Sequence, residues 1–173
     1  MSELSPLQKA RYVYKPKLPK MLRNGISEIC VKEGEVTQSV ADQEKIKALF
    51  PNTYGKKEIT FEKGVNTSLS KKQVVGVILS GGQAPGGHNV VCGLYDALKA
   101  TNSDNILYGF KKGPSGLIED DFVEFDDAFI DQYRNTGGFD IIGSGRTKLE
   151  TEEQFKIAAE VCAKHGITAI VII

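Results

Sequence analysis

The stretch from Val74 to Ala100, "VVGVILSGGQAPGGHNVVCGLYDALKA", constrains the fold more than any other part of the chain. It runs from successive apolar residues through a glycine-rich loop into an amphipathic segment. Apolar on every residue rather than every second one, Val74–Leu79 predicts a parallel strand covered on both faces. The following "NVVCGLYDALKA" predicts a helix with Val90, Leu94, Ala97 and Leu98 on its inner face, and Gly93 packed closely against a neighbour. Strand, tight loop and helix in that order are the first half of a βαβ unit, which commits the chain to the α/β class.

The downstream text continues the pattern. "NILYGF" reads as a second strand and "FDIIGS" as a third. In "TEEQFKIAAEVCAKHG", Thr151 and Gln154 have capping-box spacing. Phe155, Ala158, Ala159 and Cys162 form its stripe, and Gly166 is the expected terminator. "ITAIVII" is a last strand. Residues 74–173 are therefore expected to form an α/β domain with a Rossmann-like parallel sheet and helices on both faces. Residues 1–73 read as an N-terminal extension, with a short strand in "SEICVKEG" and a helix in "SVADQEKIKALF" placing Val40, Ile46, Leu49 and Phe50 partly on one face. Turns follow at "PNTYG" and "EKGVNTS". Ligands of open α/β sheets bind beyond the carboxyl ends of the strands. A sequence ending on such a strand is expected to be truncated, the front portion of a longer protein.

Charge narrows the partners. Lys+Arg and Asp+Glu balance at 22 each, giving no field to gather nucleic acid or an anionic membrane. The balance is uneven locally: Met1–Arg23 holds six bases against Glu3, and Glu119–Asp131 holds seven acids and no base. The first, with Pro6, Pro16 and Pro19, is expected to be an extended arm lying across a partner surface. The acidic run is expected to be a solvated face. Cys30, Cys92 and Cys162 are odd in number and far apart, which supports neither a zinc site nor a disulfide framework and fits a cytoplasmic compartment. No apolar run approaches membrane-spanning length.

Two loops carry the chemistry. "SGGQAPGGHN" sets bare backbone before a helix whose positive end would aim at the same place, which is the recipe for a phosphate cradle. It matches neither GxGxxG nor GxxxxGK[ST], and a plain strand-to-helix turn stays open as its alternative. "NTGGFDIIGSGRTK" repeats the logic, with Arg146 and Lys148 beside Gly145, and a guanidinium fork suits anionic oxygens. A surface turn with solvated bases is the alternative there. Two such loops after strands of one sheet would face the same edge. A third, "GFKKGPSGL", could join them or be a flexible loop. His88 is expected to cap or pack, and His165 to be a surface residue suited to a helix C-terminus. No nucleophile triad and no general base can be placed.

At "ILSGGQAPGGHN" and "YRNTGGFDIIGSGRTKLETEEQ" the sequence resembles the phosphofructokinase family, above all its long, pyrophosphate-dependent branch. The likeness extends to "LQKARYVYKPKLP" and "FPNTYG". It implies a phosphofructokinase-type fold and reversible transfer of phosphoryl from pyrophosphate to fructose 6-phosphate in glycolysis, with Mg2+, in a homodimeric full-length enzyme. Matched position by position, it implies that Gly81 and Gly82 hold the donor phosphates and that Arg146 contacts them, with Gly145, Thr147 and, more weakly, Lys148 alongside. Gln83 and Thr147 stand where ATP-dependent relatives carry an aspartate and an aromatic, which points away from an adenine nucleotide. The family's GGDDS, TIDxD and MGR segments would follow Ile173. The resemblance thus implies catalytic residues and magnesium ligands outside this chain, which is expected to be inactive alone. Two other readings stay open: a non-catalytic regulatory subunit of such an enzyme, and a generic dinucleotide-binding domain.

Overall fold

The computed structural model describes residues 4–65 and 71–173. They fall into two compact units, one of residues 4–16 with 71–173 and one of residues 17–65. The larger contains helix α1 (Pro6–Val13), then β3 (Val74–Ile78), α3 (Gly87–Thr101), β4 (Ile106–Phe110), α4 (Pro114–Glu119), β5 (Phe122–Glu124), α5 (Asp127–Tyr133), α6 (Glu152–Lys164) and β6 (Ala169–Ile172). Its sheet has the order β5-β4-β3-β6. β4, β3 and β6 run parallel, and β5 closes one edge antiparallel to β4.

The successive apolar residues of β3 serve both faces, as expected of a buried parallel strand. Val75, Val77 and Leu79 pack with Val91, Cys92 and Tyr95 of α3 and Ile130 of α5. Ile78 belongs to a second cluster with Phe110, Leu117 of α4, and Ala158 and Val161 of α6. Helices therefore cover both faces, and the α/β expectation holds. Gly76 makes room for a ring, since a Cβ there would sit 2.8 Å from Phe110.

Several local expectations are corrected. The inner face of α3 is His88, Val91, Cys92 and Tyr95, the i, i+3, i+4, i+7 set, while Val90 is exposed. Leu94 and Leu98 pack only at the edge of that cluster. Gly93 is exposed with open space around it, so no close neighbour explains it. "FDIIGS" forms no strand, although Phe139, Ile141 and Ile142 are buried. Its apolar side chains enter the core from a loop, and the amides of Asp140 and Ile141 bond to the His88 ring instead of a ladder.

The acidic run is not simply a solvated face. It holds β5 and α5, with Phe125 and Ile130 in the core and Asp126 capping α5 through the Phe129 amide. On α6 the capping box of Thr151 and Gln154 forms, but Ala158 and Val161 are the buried pair and Phe155 and Ala159 are exposed. Gly166 ends the helix with φ +65°. His165 is no plain surface residue: Nε2 lies 2.7 Å from Asp120 Oδ1, and the ring packs edge-on against Phe122.

The arm expected to be extended is helical over Pro6–Val13, because Ser5 and Gln8 make a reciprocal capping box with Pro6 in the first turn. It lies on its own unit, the Asn135 amide donating to the carbonyls of Arg11 and Tyr14.

The smaller unit holds an antiparallel ribbon of β1 (Ile29–Val36) and β2 (Lys57–Lys63), with α2 (Gln43–Leu49) between them. β1 covers most of the expected "SEICVKEG" strand, whereas β2 was not anticipated. Val40 lies outside α2 and is fully exposed. The turn expected over 62–68 lies outside the described residues from position 66 onward.

Candidate functional site

At the carboxyl end of β3 three loops converge. The chain leaves the strand through buried Leu79 and turns at Gly81, whose φ of +92° is left-handed backbone that favours glycine. The Gly81 amide donates to the Gly145 carbonyl at 2.8 Å, and Ser80 and Gly145 form an isolated parallel bridge. The "GSG" loop is thereby fastened to the "SGG" loop by these contacts, although no strand of the sheet leads into it. The "FKKG" loop joins them through the Lys112 amide, which donates to the Ile142 carbonyl at 2.9 Å. A Cβ on Gly113 would lie 2.5 Å from the Gly145 nitrogen, and one on Gly145 would run into the Lys112 carbonyl oxygen. Glycine at 113 and 145 lets the backbones touch. The third loop is thus a fixed wall of the edge, not a flexible one.

Arg146 is exposed and reaches back over the first loop, its Nη2 3.1 Å from where a Cβ on Gly82 would stand. Guanidinium and exposed glycine backbone are therefore side by side, the pairing that receives an oxyanion. Thr147 and Lys148 continue into a neighbouring cleft of about 590 Å³, lined also by Ser80, Leu149 and Glu150. Of the six residues singled out in the sequence, Gly81 turns the chain, Gly82 and Arg146 face each other, Gly145 seats the loops, and Thr147 and Lys148 border the cleft.

The positive end of α3 contributes less than expected. The amides of Gly86 and His88 donate to the carbonyls of Gly137 and Gly138, at 2.8 and 2.9 Å. Those helix-start donors are satisfied within the protein.

His88 packs, as expected, but does more. It is 4% exposed. Nδ1 lies 2.6 Å from Thr136 Oγ1, while Nε2 accepts from the amides of Asp140 and Ile141 at 2.9 and 3.0 Å. Burial lowers its pKa, opposed by the Asp140 carboxylate 2.8 Å from Nε2. Two amides aimed at Nε2 call for its lone pair, and Thr136 Oγ1, which donates to the Tyr133 carbonyl, is placed to accept from Nδ1. Together they favour the neutral ring with the proton on Nδ1 over the Nε2 proton that Asp140 would favour. Asn105 escaped sequence reasoning. Fully buried, it accepts from the Gln73 amide and donates to Leu98 O and Thr101 Oγ1, tying the starts of β3 and β4 to the end of α3.

Fold and site together define a parallel-sheet α/β domain with a candidate anion cradle at the carboxyl edge of its central strand. The phosphofructokinase family model matches residues 74–173. The chain belongs to the phosphofructokinase family. It is 50% identical over 169 residues to the pyrophosphate–fructose 6-phosphate 1-phosphotransferase of Porphyromonas gingivalis, covering 98% of this chain and 30% of that protein. The proteins of the same name from Treponema pallidum and Entamoeba histolytica are 42% and 45% identical, each over 98% of this chain and 31% of theirs. This chain thus spans about 30% of the length of these relatives.

Proposed function

We propose that the protein carrying this chain transfers a phosphoryl group reversibly between pyrophosphate and the 1-hydroxyl of fructose 6-phosphate in glycolysis, and that this chain supplies its diphosphate cradle. Gly81, Gly82, Gly145, Arg146, Thr147 and Lys148 form that cradle. The observation that carries the reading is Arg146 lying over Gly82 while Gly81 is bonded to Gly145, which joins the two loops into one oxyanion seat. Gly82 and Arg146 meet the phosphate oxygens, Gly81 and Gly145 hold the turn, and Thr147 and Lys148 border the path towards the cleft. Charge stabilisation and positioning are the main tasks in phosphoryl transfer, and these residues supply them.

Among the described residues no group of three or more His, Cys, Asp or Glu side chains is placed to hold a metal ion. The described residues do not make a magnesium site, and no step is drawn through one; the ligands of Mg2+ are proposed to lie beyond Ile173. A boundary at 73/74, a homodimer and a cytoplasmic location belong to the same proposal. No described helix is long and apolar enough to cross a membrane.

Calorimetric titration tests the cradle. The chain should bind pyrophosphate and not NAD. Arg146→Ala should weaken pyrophosphate roughly ten- to a hundredfold, the span of a lost charged hydrogen bond. It should leave the melting temperature nearly unchanged, because the residue is exposed. NAD binding indifferent to Arg146 would instead establish the dinucleotide-domain reading.

A further inference from the structure

His88 touches no part of the proposed diphosphate seat, yet it holds the segment that carries half of it. Its Nε2 gathers the amides of Asp140 and Ile141, and its own amide donates to Gly138 O. A Cβ on Gly138 would press 2.5 Å from the imidazole Cε1, and one on Gly87 would enter the Phe139 ring. The helix start and the 137–141 segment therefore fit together only with glycine on both sides. From Ile141 the chain runs through Ile142, whose carbonyl accepts from Lys112, to Gly145 on Gly81 and Arg146 on Gly82.

We infer that His88 is a positioning residue for the phosphoryl donor: as a neutral double acceptor it fixes the 140–146 segment, and so sets Arg146 over the first glycine loop. The inference rests on the proposed diphosphate site. The groups facing the ring are Thr136 Oγ1 at Nδ1, the edge-on Tyr133 ring of α5 with centroids 4.9 Å apart, and the largely exposed Asp140 carboxylate at Nε2. A proton on Nε2 would remove the lone pair used by both amides and give the Asp140 carboxylate a donor in their place. Burial lowers the pKa of the ring, so the neutral state persists below the ordinary histidine value of 6.5.

The test uses the protein expressed from its complete reading frame, with His88→Ala, His88→Asn and His88→Gln. A glutamine oxygen reaches about as far along the side chain as Nε2, whereas an asparagine oxygen reaches only as far as Nδ1. Amide hydrogen exchange over residues 140–146 and the KM for each substrate are measured. His88→Ala and His88→Asn should speed exchange in that segment and raise the pyrophosphate KM roughly tenfold or more, the consequence of orphaning the buried Ile141 amide and the partly buried Asp140 amide. The fructose 6-phosphate KM should stay within about twofold, and His88→Gln should restore protection and KM together. As pH falls below 6.5 and passes the lowered pKa of the ring, the wild type should lose pyrophosphate affinity faster than His88→Gln, which has no proton to gain.

Unchanged exchange in His88→Ala overturns the inference, as does an equal rise of both KM values or a failure of glutamine to restore them. A wild type without pyrophosphate affinity brings down the functional reading, and with it the donor role. The exchange arm needs no ligand and still decides whether His88 fixes the segment.

Discussion

Gly113 has φ +77°, and a methyl group there would lie 2.5 Å from the Gly145 nitrogen and 2.7 Å from its Cα. Neither atom is the free end of a side chain, so relief requires moving backbone. Gly113→Ala combines left-handed strain with that clash, and should cost roughly 2–4 kcal/mol of stability, read from the urea midpoint. Because the displaced backbone is that of Gly145, the variant should also weaken pyrophosphate. Gly93→Ala is the internal contrast. A Cβ there meets nothing within 4 Å, and alanine favours the helix by about 0.5–1 kcal/mol. If Gly113→Ala were as harmless as Gly93→Ala, the close seating of the third loop on the second would be wrong.

At the scale of elements, the meeting of α3 and α5 has a titratable reporter. The Tyr95 hydroxyl donates to Asp127 at 2.9 Å from a buried ring, and desolvation, then that bond, pushes its pKa up to about 12. The folded state holds the phenolic proton more tightly than the unfolded chain, where it leaves near 10.0. The stability it contributes is therefore complete below pH 10 and is lost as pH rises from 10 towards 12. Wild type and Tyr95→Phe should differ by about 0.5–1.5 kcal/mol at neutral pH. That difference should shrink or reverse in urea melts above pH 10.

Elements were legible where one signal dominated. β3 announced itself by apolar residues on both faces, and α6 by Thr151, Gln154 and Gly166. α3 was placed correctly but rotated, because His88 is polar and was left out of the buried stripe it begins. "FDIIGS" misled because buried isoleucines resemble a strand when their amides have a ring nitrogen as partner. β5 and α5 hid beneath acids that outnumber the aromatic and apolar residues packing between them. Of the candidate site, glycines and Arg146 were readable from composition and order. The fastening of the three loops, with the His88 contacts and the Asn105–Gln73 bond, rests on pairings across 30 to 65 positions of sequence that no local pattern records.

For the whole molecule, the two units differ in how they are held. The larger encloses two clusters of buried side chains, one on each face of its sheet. The smaller is built on a two-stranded ribbon with α2 between its strands in sequence, and Val31, Val36, Ile59 and Phe61 of the ribbon are exposed; a ribbon that buries so little is marginal in water. In the larger unit β6 pairs with β3 on one side and is the last strand of the described sheet on the other. It carries neither proline nor charge, and Ile172 is 68% exposed. An open, apolar edge invites a second strand, and proteins blunt such edges with lysine. The 173-residue chain should therefore self-associate as concentration rises, and Ile172→Lys should suppress it in sedimentation velocity. The substituted side chain is exposed, so unfolding should shift by no more than about 0.5 kcal/mol. If association persists unchanged while the fold is intact, the β6 edge is not its cause, and the exposed ribbon of the smaller unit becomes the surface to substitute, starting with Phe61.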